Sequence, residues 1–231
     1  MSEYKNAIIL AAGRGERMRP LTDRQPKPLL EAGGKPLIEW HLEALAAAGV
    51  TNIVVNLSWL GDMIVGALGD GSRWGLEIRY SEEGDPALET GGGIFQALPL
   101  LGDAPFLVIN GDVWLDLDFE SMPPVGDKMA HLLMVHNPEH NRSGDFYLSD
   151  NQLSENGAGQ RMTYSGVGVY SPELFADCSP GRFPLAPLLC DAMARDLVSG
   201  QKFDGEWLDV GTVERLELLR DRLRRRDPAT Q

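Results

Sequence analysis

An apolar run that opens into a loop of small residues, within residues 6–30, constrains this chain more than any other stretch. Ala7-Ile8-Ile9-Leu10 has the length and composition of a buried strand. It breaks into Ala11-Ala12-Gly13-Arg14-Gly15, whose backbone can approach a ligand closely and direct several N–H groups at it. Arg17 and Lys27 follow, and prolines on either side of the lysine stiffen its backbone. Bare amides beside fixed cations predict a site for a polyphosphate.

Two common phosphate-binding loops do not fit this stretch. A P-loop ends in Gly-Lys-Ser or Gly-Lys-Thr, and no such triplet follows Gly15. The dinucleotide fingerprint needs a third small residue where Met18 stands, and it needs an acidic residue after the second strand, where Asn56 stands. The sequence therefore disfavours a dinucleotide-binding protein. The alternative that involves no ligand is a tight turn with arginines on its surface.

Strands and helices alternate through the first half of the chain. Apolar runs predict strands over 7–10, 51–57, 76–80 and 106–109, with helices between them that include 36–48 and 59–68. This order predicts a Rossmann-like α/β fold, in which a mostly parallel central sheet carries helices on both faces. Ligands of such sheets bind at the carboxyl ends of the strands, so the informative residues should follow the apolar runs.

The regular alternation of strands and helices ends near residue 129. The predicted elements are strands over 129–135, 146–148, 163–170 and 207–210, with helices over 184–197 and 213–226. No long helix separates the first two of these strands, so this region should be a smaller, mixed part of the fold.

The segment LAAGRGERMRPLT (10–22), followed by PKPLL (26–30), resembles the signature of the sugar-1-phosphate nucleotidyltransferases. The resemblance implies transfer of a nucleoside monophosphate from a nucleoside triphosphate to a sugar 1-phosphate, with release of pyrophosphate. It also implies that Arg17 and Lys27 are catalytic. The residues that it places against the nucleotide in this stretch are Leu10, Ala11, Ala12, Gly13, Arg14, Gly15 and Glu16.

Two aspartates are candidate ligands of Mg²⁺. Asn110-Gly111-Asp112 follows the apolar run 106–109, where a carboxylate can hold a metal ion against phosphates or simply complete a turn. Asp209, within Glu206–Thr212, is the second candidate, and capping of the following turn is its alternative role. The family resemblance favours the metal in both places, with Asp112 and Asp209 as catalytic ligands and with Asn110 and Gly111 against the nucleotide.

The base and sugar contacts depend on the resemblance more heavily. Glu89 and Thr90, in a glycine-rich stretch that runs to Gly93, are expected to line the nucleobase. A carboxylate there favours an N–H donor, which uracil and guanine both offer. Gly144, Gly166 and Trp207 are the expected sugar contacts.

Over most of its length the chain resembles short bacterial uridylyltransferases that act on N-acetylmuramate 1-phosphate in cell-wall recycling. The segments that carry this resemblance are ETGGGIF (89–95), NGDVW (110–114) and SGVGVY (165–170). UTP and that sugar phosphate are then the expected substrates, in one domain over 1–231 with a nucleotide-binding part of about 1–128 and a sugar-binding part of about 129–231. The alternatives are a mannose 1-phosphate guanylyltransferase and a non-catalytic subunit that binds a nucleotide sugar.

Composition restricts the partners. The formal net charge of −13 disfavours binding to nucleic acid or to anionic membranes. No segment reaches the roughly 18 apolar residues of a membrane helix, and the start of the chain lacks the pattern of a secretory signal. Cys178 and Cys190 fit no zinc spacing and are expected to be reduced thiols. We expect a cytoplasmic protein that is a monomer or a small homo-oligomer.

Overall fold

The computed structural model describes residues 3–157 and 159–226, and one large sheet runs through both halves of the chain. The strands are β1 Asn6–Leu10, β2 Glu31–Ala32, β3 Lys35–Pro36, β4 Asn52–Leu57, β5 Glu77–Glu82, β6 Phe106–Asn110, β7 Val113–Leu115, β8 Ala130–Val135, β9 Phe146–Ser149, β10 Gln152–Ser154, β11 Gln160–Tyr170, β12 Val198–Lys202 and β13 Trp207–Asp209. The α-helices are α1 Leu37–Ala47, α2 Gly61–Leu68, α3 Glu89–Leu101, α4 Ala186–Met193 and α5 Val213–Arg226.

The large sheet has nine strands in the order β5-β4-β1-β6-β11-β8-β12-β10-β9. The first four strands are parallel, as the alternation of strands and helices predicts. The long strand β11 is antiparallel to both β6 and β8, and it joins the parallel half to a mixed half. Two short antiparallel pairs, β2–β3 and β7–β13, lie outside this sheet.

Alternate residues of the central strands enter separate cores on the two faces of the sheet, as the period of a strand requires. Ile9 packs in a core with Leu42 of α1 and Ile64 of α2. Its neighbour Ile8 packs on the opposite face with Ile94 of α3. These strands are buried on both faces, which explains why their sequences are unbroken apolar runs.

A third apolar cluster holds the last helix against the opening loop. Leu216 and Leu219 of α5 pack with Met18 and with Trp114 of β7. Met18 is fully buried here, at the position where a dinucleotide fingerprint would have a small residue. Because α5 follows β13 directly, this packing brings the segment around Asp209 next to the loop after β1.

One predicted helix needs correction. The helix predicted over 184–197 is shorter, Ala186–Met193, because the chain turns at Asp196 (φ +59°) to enter β12. The glycine-rich stretch at 89–93, which is expected to line a nucleobase, forms the first turns of α3. No helix in residues 3–157 and 159–226 is long and apolar enough to cross a membrane.

Candidate active site

A cavity of about 440 Å³ opens at the carboxyl ends of the parallel strands. Leu10 ends β1 and stands in register with Asn56 on β4 and with Asn110 on β6, so three strand ends form its floor. The predicted residues that line it are Leu10, Ala11, Ala12, Gly13, Gly15, Glu16, Arg17, Lys27, Glu89, Thr90, Asn110, Gly111 and Asp112. The structure thus gathers predicted residues from four separate segments around one space.

The loop after β1 is folded tightly on itself. Gly15 has φ +67°, a left-handed conformation that glycine adopts without strain, and its carbonyl accepts a hydrogen bond of 2.8 Å from Thr22 Oγ1. A side chain at Gly15 would also collide with Thr22, whose Cγ2 lies 2.8 Å from the position of a Cβ. The turn leaves the backbone of Ala12 and Gly13 facing the cavity, as a phosphate cradle requires.

A buried polar pair, Asn56 and Glu83, lies under that loop and was missed by the sequence analysis. Asn56 Oδ1 accepts a 2.5 Å hydrogen bond from the N–H of Ala11, and Asn56 Nδ2 donates to Glu83 Oε1, also at 2.5 Å. The other oxygen of Glu83 accepts from the N–H of Leu88 at 2.7 Å. Burial raises the pKa of Glu83, and the hydrogen bonds from Leu88 and Asn56 oppose that rise. The pair therefore ties the cradle to the start of α3. The feature of the sequence that could have revealed this pair is Asn56, a polar residue near the end of the apolar run of β4.

Lys27 and Asp112 form an ion pair at the centre of the site. The distance from Lys27 Nζ to Asp112 Oδ2 is 2.7 Å, and the lysine side chain is only 9% exposed. Lys27 begins a short 3₁₀ turn, Lys27–Leu29, that its flanking prolines favour. Gly111 gives Asp112 its position, because a Cβ at Gly111 would lie 2.7 Å from the carbonyl oxygen of Leu10.

Asp209 lies beside Asp112 on a neighbouring short strand. Asp209 pairs in register with Val113, and the N–H of Val210 donates to the carbonyl of Asp112 at 2.7 Å. Asp209 Oδ2 accepts from Arg215 at 2.7 Å and lies 3.1 Å from His140 Nε2.

The unpartnered oxygen of Asp209 is the feature that fits a metal ion. Asp209 Oδ1 is buried and has no hydrogen-bond partner among residues 3–157 and 159–226. No three His, Cys, Asp or Glu side chains in the same residues form a metal cage. The two carboxylates of Asp112 and Asp209 suit Mg²⁺, which binds to one or two carboxylates and completes its shell with water and phosphate oxygens.

His41 of α1 lies beneath the turn that carries Asp112. Burial lowers the pKa of His41 to about 4, against 6.5 ordinarily, and a hydrogen bond with the backbone of Val113 opposes that change. His41 Nε2 has no partner among the described residues. The imidazole is therefore neutral near pH 7 and supports the Asp112 turn from below.

Two of the three predicted sugar contacts, Gly166 and Trp207, lie near the cavity floor, and the third, Gly144, lies in another loop. Gly166 sits in a bulge of β11 with φ +84°, and a Cβ on it would lie 2.7 Å from Asn110 Nδ2, so Gly166 packs directly against the floor of the cavity. Trp207 donates its indole N–H to the carbonyl of Ser165 at 2.9 Å, next to that bulge. Gly144 lies elsewhere, below the side chain of Asn137, in the loop that carries His140.

Two further predicted residues have unexpected surroundings. The guanidinium of Arg14 stacks on the Trp59 ring, 4.3 Å from its centroid, and Arg14 is not among the residues that line the cavity. Glu89 does line the cavity, but with φ +62°, and it pairs with Arg182 at 3.0 Å. Left-handed backbone at a residue with a long side chain is strained.

Gly91 and Gly92 dock a loop of the chain and are not among the residues that line the cavity. A Cβ on Gly91 would lie 2.6 Å from the ring of Phe183, and one on Gly92 would collide with the carbonyl of Gly181. The N–H of Gly92 donates to the carbonyl of Phe183 at 3.1 Å. This face of α3 is bare so that the loop 181–183 can lie against it.

The chain is similar to known proteins in its family pattern, in its sequence and in its fold. The family model described as "Nucleotidyl transferase" matches residues 6–146. A Neisseria meningitidis protein named N-acetylmuramate alpha-1-phosphate uridylyltransferase is 55% identical over 91% of this chain and 95% of its own. A Caulobacter vibrioides protein of the same name is 38% identical over 90% and 92%, respectively. An Aspergillus oryzae mannose-1-phosphate guanyltransferase is 31% identical, over 89% of this chain and 60% of its own length.

Solved structures confirm the predicted fold class. A Bacillus anthracis glucose-1-phosphate thymidylyltransferase superposes with a TM-score of 0.83 at 23% identity, covering 95% of both chains. HddC from Yersinia pseudotuberculosis, in a complex with GMP-PN, gives a TM-score of 0.76 at 24% identity, over 94% of this chain and 99% of its own. At such identities the likeness concerns the fold alone.

Proposed function

Because the chain belongs to the nucleotidyl transferase family and is a sugar-1-phosphate nucleotidyltransferase, we propose that it transfers UMP from UTP to N-acetylmuramate 1-phosphate. The products are UDP-N-acetylmuramate and pyrophosphate. The observation that carries this proposal is the 55% identity, over nearly the whole of both chains, to a protein of that name. The mannose-1-phosphate guanyltransferases, at about 31% identity and with longer chains, supply the second candidate.

The reaction is an in-line displacement at the α-phosphorus of the triphosphate. An oxygen of the sugar 1-phosphate attacks, the bond from the α-phosphorus to its bridging oxygen breaks, and pyrophosphate leaves with the electron pair. The attacking oxygen is already anionic near neutral pH, so no general base is required. Catalysis then consists of positioning and charge neutralisation.

The phosphates lie at the cationic end of the cavity. Arg17 and the backbone amides of the loop 11–15 hold the leaving phosphates, and Lys27 contacts both the α-phosphate and the phosphate of the sugar. Lys27 is buried, and its only ion-pair partner in the described residues is Asp112. Its ammonium group is therefore held in a fixed position beside Asp112. A fixed cation of this kind stabilises charge without reorganisation during the reaction.

The family generally uses a divalent metal ion, and we propose Mg²⁺ held by Asp112 and Asp209. When bound, it supplies charge neutralisation at the phosphates and orients them. The free, buried Oδ1 of Asp209 supports this assignment.

The base lies on the side of the cavity away from Arg17 and Lys27. Glu89 and Thr90 stand there, and the Asn56–Glu83 pair fixes the backbone beneath them. The sugar lies toward Gly166 and Trp207, beyond Asn110. Gly144 contributes to sugar binding indirectly, because it shapes the loop that carries His140.

The test is pyrophosphate release by the purified chain, with each of four nucleoside triphosphates and a panel of sugar 1-phosphates. UTP with N-acetylmuramate 1-phosphate should give the highest kcat/KM. A higher value for GTP with mannose 1-phosphate would replace the main proposal with the second candidate. Asp112→Asn serves as the inactive control in every combination. Because nucleoside triphosphates are the donors, we place the reaction in the cytoplasm, carried out by a monomer or small homo-oligomer.

A further inference from the structure

Gly211, directly after β13, is a point on the cavity wall where two arginines meet. A Cβ at Gly211 would lie 2.5 Å from Arg215 Nη2 and 2.9 Å from Arg17 Nη2. Asp209 Oδ1 lies 2.9 Å from the same position. Gly211 has no left-handed φ, so it is space and not backbone conformation that excludes a side chain here. The missing side chain lets both guanidinium groups approach the cavity.

Arg215 is held in place by its other nitrogen. Arg215 Nη1 donates to Asp209 Oδ2 at 2.7 Å and lies 3.0 Å from the ring of His140. Its side chain is only 16% exposed. The guanidinium is therefore fixed at one end, while Nη2 is directed toward Gly211. A planar fork is suited to this, since it can bind two groups in different directions at once.

Around Gly211 the chain supplies one carboxylate, that of Asp209, to the two arginines. Lys27 is paired with Asp112, and Arg215 shares Asp209 with His140. Arg17 has no ion-pair partner among residues 3–157 and 159–226, yet its tip lies next to that of Arg215. Two guanidinium groups beside a single carboxylate leave a net positive charge at this point, which favours a further anion between them. Arg17 and Arg215 together can bind one phosphate in the geometry that guanidinium groups favour.

We infer that Arg215 binds a substrate phosphate together with Arg17, and that it holds Asp209 with the nitrogen that faces away. This inference rests on the proposed nucleotidyl transfer. The phosphate belongs either to the triphosphate or to the sugar 1-phosphate, and both present the same chemistry to the two arginines. His140, carried by the loop 136–145, completes the support of Asp209 from the outside.

The test compares Arg215→Ala and Arg215→Lys with Arg225→Ala, a control on the same helix whose side chain is exposed. Steady-state kinetics give KM for each substrate, and calorimetry with inorganic pyrophosphate in a metal chelator gives phosphate binding without the metal. Because charge-assisted hydrogen bonds are lost, Arg215→Ala should lower kcat/KM about 10- to 100-fold. Added guanidinium ion should restore part of the activity of Arg215→Ala, and Arg225→Ala should match the parent chain.

The measurements distinguish whether Arg215 binds a phosphate of the triphosphate or the phosphate of the sugar. Weaker pyrophosphate binding and a raised KM for the triphosphate assign Arg215 to the donor. A raised KM for the sugar 1-phosphate alone assigns it to the acceptor. Values of kcat/KM within twofold of the parent for both substrates, or a loss that guanidinium does not rescue in a chain of unchanged thermal stability, would overturn the inference.

Two checks keep the inference open to refutation. If Arg215→Ala does not fold, Arg215→Lys carries the test, because it keeps the charge and loses the fork. If the parent chain prefers another triphosphate or sugar, the proposed substrates fail, and the effect of Arg215 is measured with the pair that the parent does use.

Discussion

Replacing Gly166 with alanine tests whether the bulge of β11 sets the position of Asn110. Gly166 has φ +84°, and holding a residue with a side chain there costs about 1–2 kcal/mol of unfolding free energy. The new Cβ would also lie 2.7 Å from Asn110 Nδ2 and 2.9 Å from its Cγ, so Asn110 must shift. Because Asn110 precedes Gly111 and Asp112 on the cavity floor, we expect kcat/KM to fall on the order of tenfold, since small misplacements at a reacting centre are costly.

Gly34→Ala is the matched control for this substitution. Gly34 has φ +81° and no atom within 4 Å of the position of a Cβ, so the change adds backbone strain without a collision. Urea unfolding should show a loss of stability in both variants, with a larger loss in Gly166→Ala because of the added collision, and pyrophosphate release should fall only in Gly166→Ala. Full activity in Gly166→Ala at the reduced stability would refute the link between the bulge and the active site.

Three other predictions concern the charges of the site. Lys27→Ala should lower kcat about 100- to 1,000-fold and leave the dissociation constant of the triphosphate, measured by calorimetry, much less affected; equal losses in both would indicate a binding role. Asp112→Asn and Asp209→Asn should each abolish metal-dependent activity without unfolding, as would a chelator added to the parent chain; full activity in either variant removes that aspartate from the mechanism. His41 has its pKa lowered to about 4, so its contribution to stability is present above pH 6.5 and is lost as the pH falls toward 4. Urea unfolding near pH 7.5 and pH 5 should therefore show about 2 kcal/mol less pH dependence in His41→Gln than in the parent, and identical dependence would contradict a buried neutral imidazole.

The parallel half of the fold could be predicted from the sequence because its signals are local. The apolar runs of β1, β4 and β6 and the helical spacing of α1 each specify one element, and the strand-helix rhythm specifies how they assemble. The placement of β11 between β6 and β8 could not be predicted in this way. It depends on pairings between distant segments, which the period of a single strand does not encode.

The site shows the same division. Arg17, Lys27 and Asp112 stand in compact motifs, and the structure places them around one cavity. Glu83 and Arg215 have no such motif, because their roles arise from what surrounds them in three dimensions. The run of glycines in α3 was expected to let the backbone approach a base, but Gly91 and Gly92 are approached by the chain's own loop 181–183. The glycines indicated that another group approaches the backbone of α3, but the sequence alone could not identify that group.

The unbroken sheet restricts how this enzyme can have diversified. Phe106–Asn110 is paired along one side with β1 and along the other with β11, so the two halves share a hydrogen-bonded seam. Recombination could not swap one half for a relative's without remaking the register of that seam. New donor or acceptor preferences are therefore expected to arise by point changes in the loops at the rim, on an architecture inherited as a whole.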